Sequence, residues 1–194
     1  MAAKQGAEGS KIAIDRNYLT PTEIDYMLEA ARRTPGNGRR DFALILIMFR
    51  HGLRCAEAAS LPWHRVDLEE GRLQVRRLKG RKGSTDREWV HPLRGPELRA
   101  LRPLWRARKT PYVFEGKQGP LATRTIYHII QTTGERAGYT GIHPHQLRHA
   151  CGYALANAGH DTRTIQEWLG HANIKHTAHY TQLAADRFEK LWPD

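Results

Sequence analysis

Residues 143–159 read HPHQLRHACGYALANAG. The segment predicts a helix from about His145 to Ala158, stopped by Gly159. At 100° per residue His145, Arg148, His149 and Gly152 share one face, and Leu147, Cys151, Ala154 and Ala158 share the opposite one. Such a helix has an apolar back to bury and a cationic front, and Gly152 leaves that front bare enough for a ligand to approach. A polar front alone fits a solvated surface equally well. The H-x-x-R spacing also recurs at His51/Arg54, His91/Arg94 and His160/Arg163, so its meaning depends on the rest of the chain.

The bulk composition narrows the partner. Lys and Arg number 31 against 20 Asp and Glu, a formal charge of +11 with a pI near 10.0. That excess favours a polyanion, and nucleic acid is the commonest one for a basic globular chain. With 194 residues the chain fits one domain able to bury a core without disulfide or metal. No window approaches 18 apolar residues and the N-terminus lacks a secretory run, so a cytoplasmic protein with no membrane partner is expected. Cys55 and Cys151 match no C-x-x-C spacing and read as buried thiols.

Outward from the central segment, the elements fall in order. Residues 1–17 read as a flexible tail and 18–194 as one domain. Thr20, Pro21 and Glu23 mark a capped helix start, followed by Ile24, Met27, Leu28 and Ala31 on one face. RRDFALILIMFR at 39–50 suits a buried helix stopped by Gly52, and a short helix runs from Cys55 to Leu61. RLQVRRL and REWVHPL alternate with period two, predicting two antiparallel strands joined by a basic loop. Helices are expected from Pro96 to about Arg108, from a Thr123 cap through Ile126, Ile129, Ile130 and Thr133, from Asp161 to Leu169, and around 181–192. YVF at 112–114 reads as a short extended piece and EGKQGPL as a loop. The class is mainly α with a small antiparallel β-sheet, an α+β domain.

Read as a series, five pieces carry chemistry: G-L-R-x-x-E at 52–57, Lys79 beside the hairpin, H-x-L-R-H at 145–149, L-G-H at 169–171, and Tyr180 nine residues after that histidine. Two arginines can grip the non-bridging oxygens of a phosphate with planar forks and stabilise a pentavalent transition state. A tyrosine can attack phosphorus and conserve the bond energy covalently, and a lysine or histidine can protonate the leaving oxygen. No metal is required. His145 and His149 lie four apart, but no H-E-x-x-H pattern or cysteine cluster supplies a third ligand.

On these residues the sequence resembles the tyrosine recombinase (phage integrase) family over roughly Leu19 to Trp192. HGLRCAEAASL, RLKGRKGST, IHPHQLRHACGYALANAG and IQEWLGHANIKHTAHYT look most like the short recombinases that invert the promoter of bacterial fimbriae. The resemblance implies the tyrosine recombinase catalytic-domain fold. It implies Arg54 and Arg148 as phosphate-clamping arginines, Tyr180 as nucleophile and Lys79 as general acid, with Lys82 in the same loop as the competing candidate. It also implies His145 assisting proton transfer, His171 hydrogen-bonding the phosphate, Glu57 orienting the site, and His149 as a structural or phosphate-contacting neighbour. Arg81 and Lys82 are candidate DNA contacts.

No cofactor or metal is implied. The implied partners are double-stranded DNA carrying specific recombination sites, further copies of the chain in a tetramer on that DNA, and a possible DNA-bending accessory protein. The family's separate N-terminal DNA-clamping domain is expected to be absent, since few residues precede the first helix. The polar run before Tyr180 reads as a tether that lets the nucleophile move. Two other readings use the same residues: a DNA-binding regulator that does not cut, and a type IB topoisomerase-like relaxing enzyme.

Overall fold

The computed structural model describes residues 11–77, 87–117 and 119–182. The first helix, α1 (Pro21–Arg32), begins with the expected capping box: the Thr20 hydroxyl accepts from the Glu23 N–H at 3.3 Å, and the Glu23 carboxylate accepts from the Thr20 N–H at 2.8 Å. Two of the backbone donors that every helix start leaves open are thereby satisfied. Ile24, Met27 and Ala31 turn inward.

The centre of the molecule is α2 (Gly38–His51), on which Ala43, Leu44, Ile45, Ile47 and Met48 are wholly buried. It packs against α1, α4 (Gly95–Ala107) and α6 (Pro144–Asn157). A helix covered on so many sides must be apolar almost all round, as its sequence is. Each large side chain it buries contributes about 1.5–3 kcal/mol, and truncating Ile45 or Ile47 to Ala would cost about 2–5 kcal/mol. Gly52 ends α2 with φ 57°, and a Cβ there would lie 2.4 Å from a Leu169 methyl. Only glycine fits that turn.

A short α3 (Cys55–Ala59) follows, two residues shorter than the sequence suggests, and then one 3-10 turn, Trp63–Arg65. The two predicted strands are β3 (Arg72–Arg77) and β4 (Arg87–Pro92), antiparallel with Leu73 opposite His91 and Val75 opposite Trp89. A two-residue strand, β2 (Val66–Asp67), adds a third member on the β3 side. The segment expected as a loop after α4 contains a small hairpin, β5 (Glu115–Gly116) with β6 (Gly119–Pro120). Thr123, expected as a cap, is instead the first residue of α5 (Thr123–Arg136), with Ala122 at the cap position.

The N-terminal segment departs from the flexible tail expected of residues 1–17. From residue 12 it is pinned: β1 (Ile12–Ala13) pairs in parallel with β7 (Tyr139–Thr140), Ile14 donates to the Thr140 carbonyl at 3.0 Å, and the Ile14 side chain is buried. Two further helices lie in the last described stretch. In α7 (Thr162–Leu169) the Asp161 carboxylate caps the N–H groups of Arg163 and Thr164, and Gly170 ends the helix at φ 66°. The second is α8 (Lys175–Gln182), which includes Tyr180; the helix expected around 181–192 lies, beyond residue 182, outside the described residues. It packs on α6 and α7, where Cys151, Ala156, Ile165, Leu169 and Tyr180 form a second apolar cluster.

Candidate active site

The carbonyl ends of α2 and α7 converge on α6, and two arginines fill the gap between them. Arg148, 5% exposed, donates to the carbonyls of Gly52 and Leu169, the latter at 2.6 Å. Arg77, 2% exposed, donates to His51 O at 2.8 Å, to Gly52 O at 3.2 Å and to Trp168 O. The last carbonyls of a helix have no partner within it and sit at the negative end of its dipole. Burying a cation costs several kcal/mol, and each hydrogen bond from a charged donor returns about 1.5–3 kcal/mol, so these carbonyls make the burial tolerable. Even so, burial and then the charges of Arg77 and Arg54 depress the Arg148 pKa to about 9.

Arg54 stands at the start of α3, where the chain turns out of Gly52. Its N–H and its guanidinium donate to the two oxygens of Glu57, at 2.9 and 2.8 Å, which folds the side chain back over the first turn. Glu57 also accepts from Arg77 at 2.9 Å. Burial pushes the Glu57 carboxyl up, but Arg77 and Arg54 outweigh it and hold the group below the usual carboxylate range. Three guanidiniums thus share one carboxylate, an excess of two positive charges. Arg54, Arg148 and the exposed His145 line one cleft of ≈ 590 Å³, together with Arg124, Tyr127 and His128 of α5.

Tyr180 is wholly buried against α6. The bare front at Gly152 is filled by this ring rather than left open to a ligand: a Cβ on Gly152 would lie 2.6–2.8 Å from three Tyr180 ring carbons. The phenol oxygen is 2.8 Å from Nδ1 of His149. Burial, then the charges of His179 and His145, depress the His149 pKa to about 4, so the ring is neutral, and in the tautomer protonated on Nε2 its Nδ1 can accept from the phenol. Burial also raises the Tyr180 phenol above its ordinary pKa despite the pull of Arg148. On the other side the His171 ring lies nearly parallel to Tyr180, centroids 6.3 Å apart, and pairs through Nδ1 with the Thr177 hydroxyl at 2.8 Å. Burial, then Arg148 and Arg54, lower the His171 pKa to about 3.

Of the residues singled out in the sequence, Arg54, Glu57, His145, Arg148, His149, His171 and Tyr180 come together around α6. Lys79, Arg81 and Lys82 lie outside the described residues. The sequence reading overlooked Arg77, although a signal was present: in RLQVRR the buried positions are Leu73, Val75 and Arg77, so the arginine occupies an inward slot of a period-two strand. Among the described residues no group of three or more His, Cys, Asp or Glu could hold a metal ion.

Comparison with known proteins bears on the chain as a whole. Residues 17–187 match the family model described as the phage integrase family. The type 1 fimbriae regulatory proteins FimE and FimB of Escherichia coli (strain K12) are 44% and 43% identical over 186 residues, covering 91% of this chain and 91% and 90% of theirs. The crystal structure of XerA recombinase superposes with a TM-score of 0.74 at 30% identity, over 89% of this chain and 62% of that one.

Proposed function

Since the chain belongs to the phage integrase family of tyrosine recombinases, a site-specific recombinase that cuts and rejoins DNA through a tyrosine, we propose that Tyr180 is its nucleophile and that the strand is held as a 3′-phosphotyrosine. The observation that carries this is the seat of Tyr180: its ring on Gly152, its hydroxyl on His149, and near it the charge of Arg148, which is bound to the ends of α2 and α7.

A backbone phosphate enters the cleft between α5 and α6, and Arg54 and Arg148 donate to its non-bridging oxygens. The excess of positive charge there grows in value as the transition state gains negative charge. The Tyr180 oxygen forms its bond to phosphorus while its proton passes to Nδ1 of His149, and the bond to the 5′-oxygen breaks. That oxygen takes a proton from Lys79. His145 and His171 donate hydrogen bonds to the phosphate. The returning 5′-hydroxyl reverses each step, so rejoining needs no cofactor. Because Tyr180 is buried at rest, α8 shifts as the phosphate arrives.

The substrate class in this reading is double-stranded DNA with specific recombination sites, inverted, excised or integrated by a tetramer of the chain, with a DNA-bending protein as helper, in the cytoplasm. Among the described residues no helix is long and apolar enough to cross a membrane.

The test is a suicide DNA substrate, nicked near a crossover taken from repeats flanking the gene and incubated without added metal. Wild type is expected to give a covalent adduct on a denaturing gel, and Tyr180→Phe none. Specific binding with no adduct would point to a regulator that does not cut. Relaxation of supercoils lacking any such site would mark a topoisomerase-like enzyme.

A further inference from the structure

We infer that Arg77 is a positioning residue for the phosphate clamp, holding from the end of β3 the two groups on which Arg54 and Arg148 are built. The inference rests on the reading of those two arginines given above.

The geometry is specific. One guanidinium nitrogen of Arg77 serves both Glu57 and the Gly52 carbonyl; the other serves His51 O and Trp168 O. Glu57 is the group that fixes Arg54, and Gly52 O is one of two carbonyls that fix Arg148. Trp168 O, the last acceptor, precedes the second of them, Leu169 O. A single buried cation therefore joins the supports of both clamp arginines.

A packing role alone does not account for the choice. Leu73 and Val75 fill the neighbouring inward slots of β3, and an apolar side chain at 77 would avoid the desolvation of a charge. The surroundings are also cut to this side chain. A Cβ on Gly170 would meet the Arg77 stem at 2.5 Å, so the chain entering His171 passes directly over the arginine. Without Arg77, Glu57 loses the cation on one oxygen and turns toward Arg54 and Arg148, and the positive excess in the cleft drops by one charge.

The experiment compares full-length wild type, Arg77→Lys and Arg77→Met on two suicide substrates at saturating DNA. One carries the ordinary scissile phosphate and the other a methylphosphonate, in which a methyl replaces one non-bridging oxygen and the negative charge is gone. The ratio of the two rates reads how strongly the clamp favours the charged phosphate, and it does not depend on how much of the protein is folded. Arg77→Met is expected to lose about 100-fold or more on the phosphate, with DNA affinity little changed, and its ratio falls well below that of wild type. Arg77→Lys, which keeps the charge but cannot span acceptors from two helix ends, is expected to fall between. It carries the test alone if the methionine variant fails to fold. A wild-type ratio in the variants, with both substrates slowed alike, overturns the inference and leaves Arg77 a packing residue. Adduct from Tyr180→Phe would instead overturn the reading of the nucleophile and leave the Arg77 ratio to be judged on its own.

Discussion

At the scale of single residues, the contact between Tyr180 and His149 is where the proposed loss of the phenol proton can be tested. The hydrogen bond of 2.8 Å puts His149 within reach of the phenol, and its pKa of about 4 keeps the ring neutral at neutral pH, so that Nδ1 can accept in the tautomer protonated on Nε2. His149→Ala is therefore expected to slow adduct formation by about 100-fold or more, within the usual contribution of a positioned base, with DNA affinity retained. An unaltered rate would shift the proton to His145. Gly152 supplies a second test. A methyl at 2.6–2.8 Å from the Tyr180 ring forces the ring off its seat, and overpacking of this kind costs about 1–3 kcal/mol. For Gly152→Ala the thermal midpoint should fall by several degrees. A wild-type melting curve would mean that the ring does not rest on α6 in solution.

At the scale of elements, the contrast lies between α2 and α8. Packing on α1, α4 and α6 buries α2. In the described part of α8, the helix of the proposed nucleophile, Thr177 and Tyr180 are the wholly buried side chains, so few buried contacts hold it in place. Local opening follows such differences in buried contacts. Hydrogen exchange of the free protein should therefore show the α8 amides, Tyr180 included, exchanging orders of magnitude faster than those at the centre of α2. Equal protection would refute the idea that this helix shifts to present its tyrosine. The sequence led to a polar tether at this point because LGHANIKHTAHY has little apolar periodicity. The helix forms because α6 and α7 give Thr177 and Tyr180 a place to be buried.

The whole molecule is a basic body whose interior holds several neutral histidines, and this makes its stability depend on pH. His51 and His91 are both buried, with their Nδ1 atoms 3.2 Å apart. Burial, then Arg77 and Arg50, depress His51 to about 3, and burial, then His51 and Arg77, depress His91 to about 2. The carboxylate of Glu97, 3.8 Å from His51 Nε2, is too weak a counterweight. Folded-state values below the unfolded 6.5 mean that the contribution is complete above about pH 6.5. It is lost as pH falls toward about 3, because only the unfolded chain takes up protons there. Each such histidine contributes up to roughly 1.4 kcal/mol per pH unit across that window. The urea midpoint should drop steeply between pH about 7 and about 5, and more shallowly in His51→Gln or His91→Gln. A slope untouched by either substitution would place the acid sensitivity elsewhere.

What the sequence by itself determined is what depends on residue type and short spacing. The capping box at Thr20 and Glu23 and the glycine stops at 52 and 170 are satisfied within a few residues. The ordered set Arg54, Arg148, His171 and Tyr180 stands out because phosphate chemistry needs those groups wherever the chain places them. The alternation that made β3 a strand even marked position 77 as inward. The tertiary structure alone decided the contacts between distant segments: β1 against β7, the Tyr180 ring in the space left by Gly152, His149 rather than His145 as the partner of the phenol, and Arg77 as a buried cation. The reason is that burial and hydrogen-bond partnership belong to pairs of elements. The buried guanidiniums of Arg77 and Arg148 are tolerable because the ends of two helices meet there, with the Glu57 carboxylate beside them, and no local pattern in either helix says that they will.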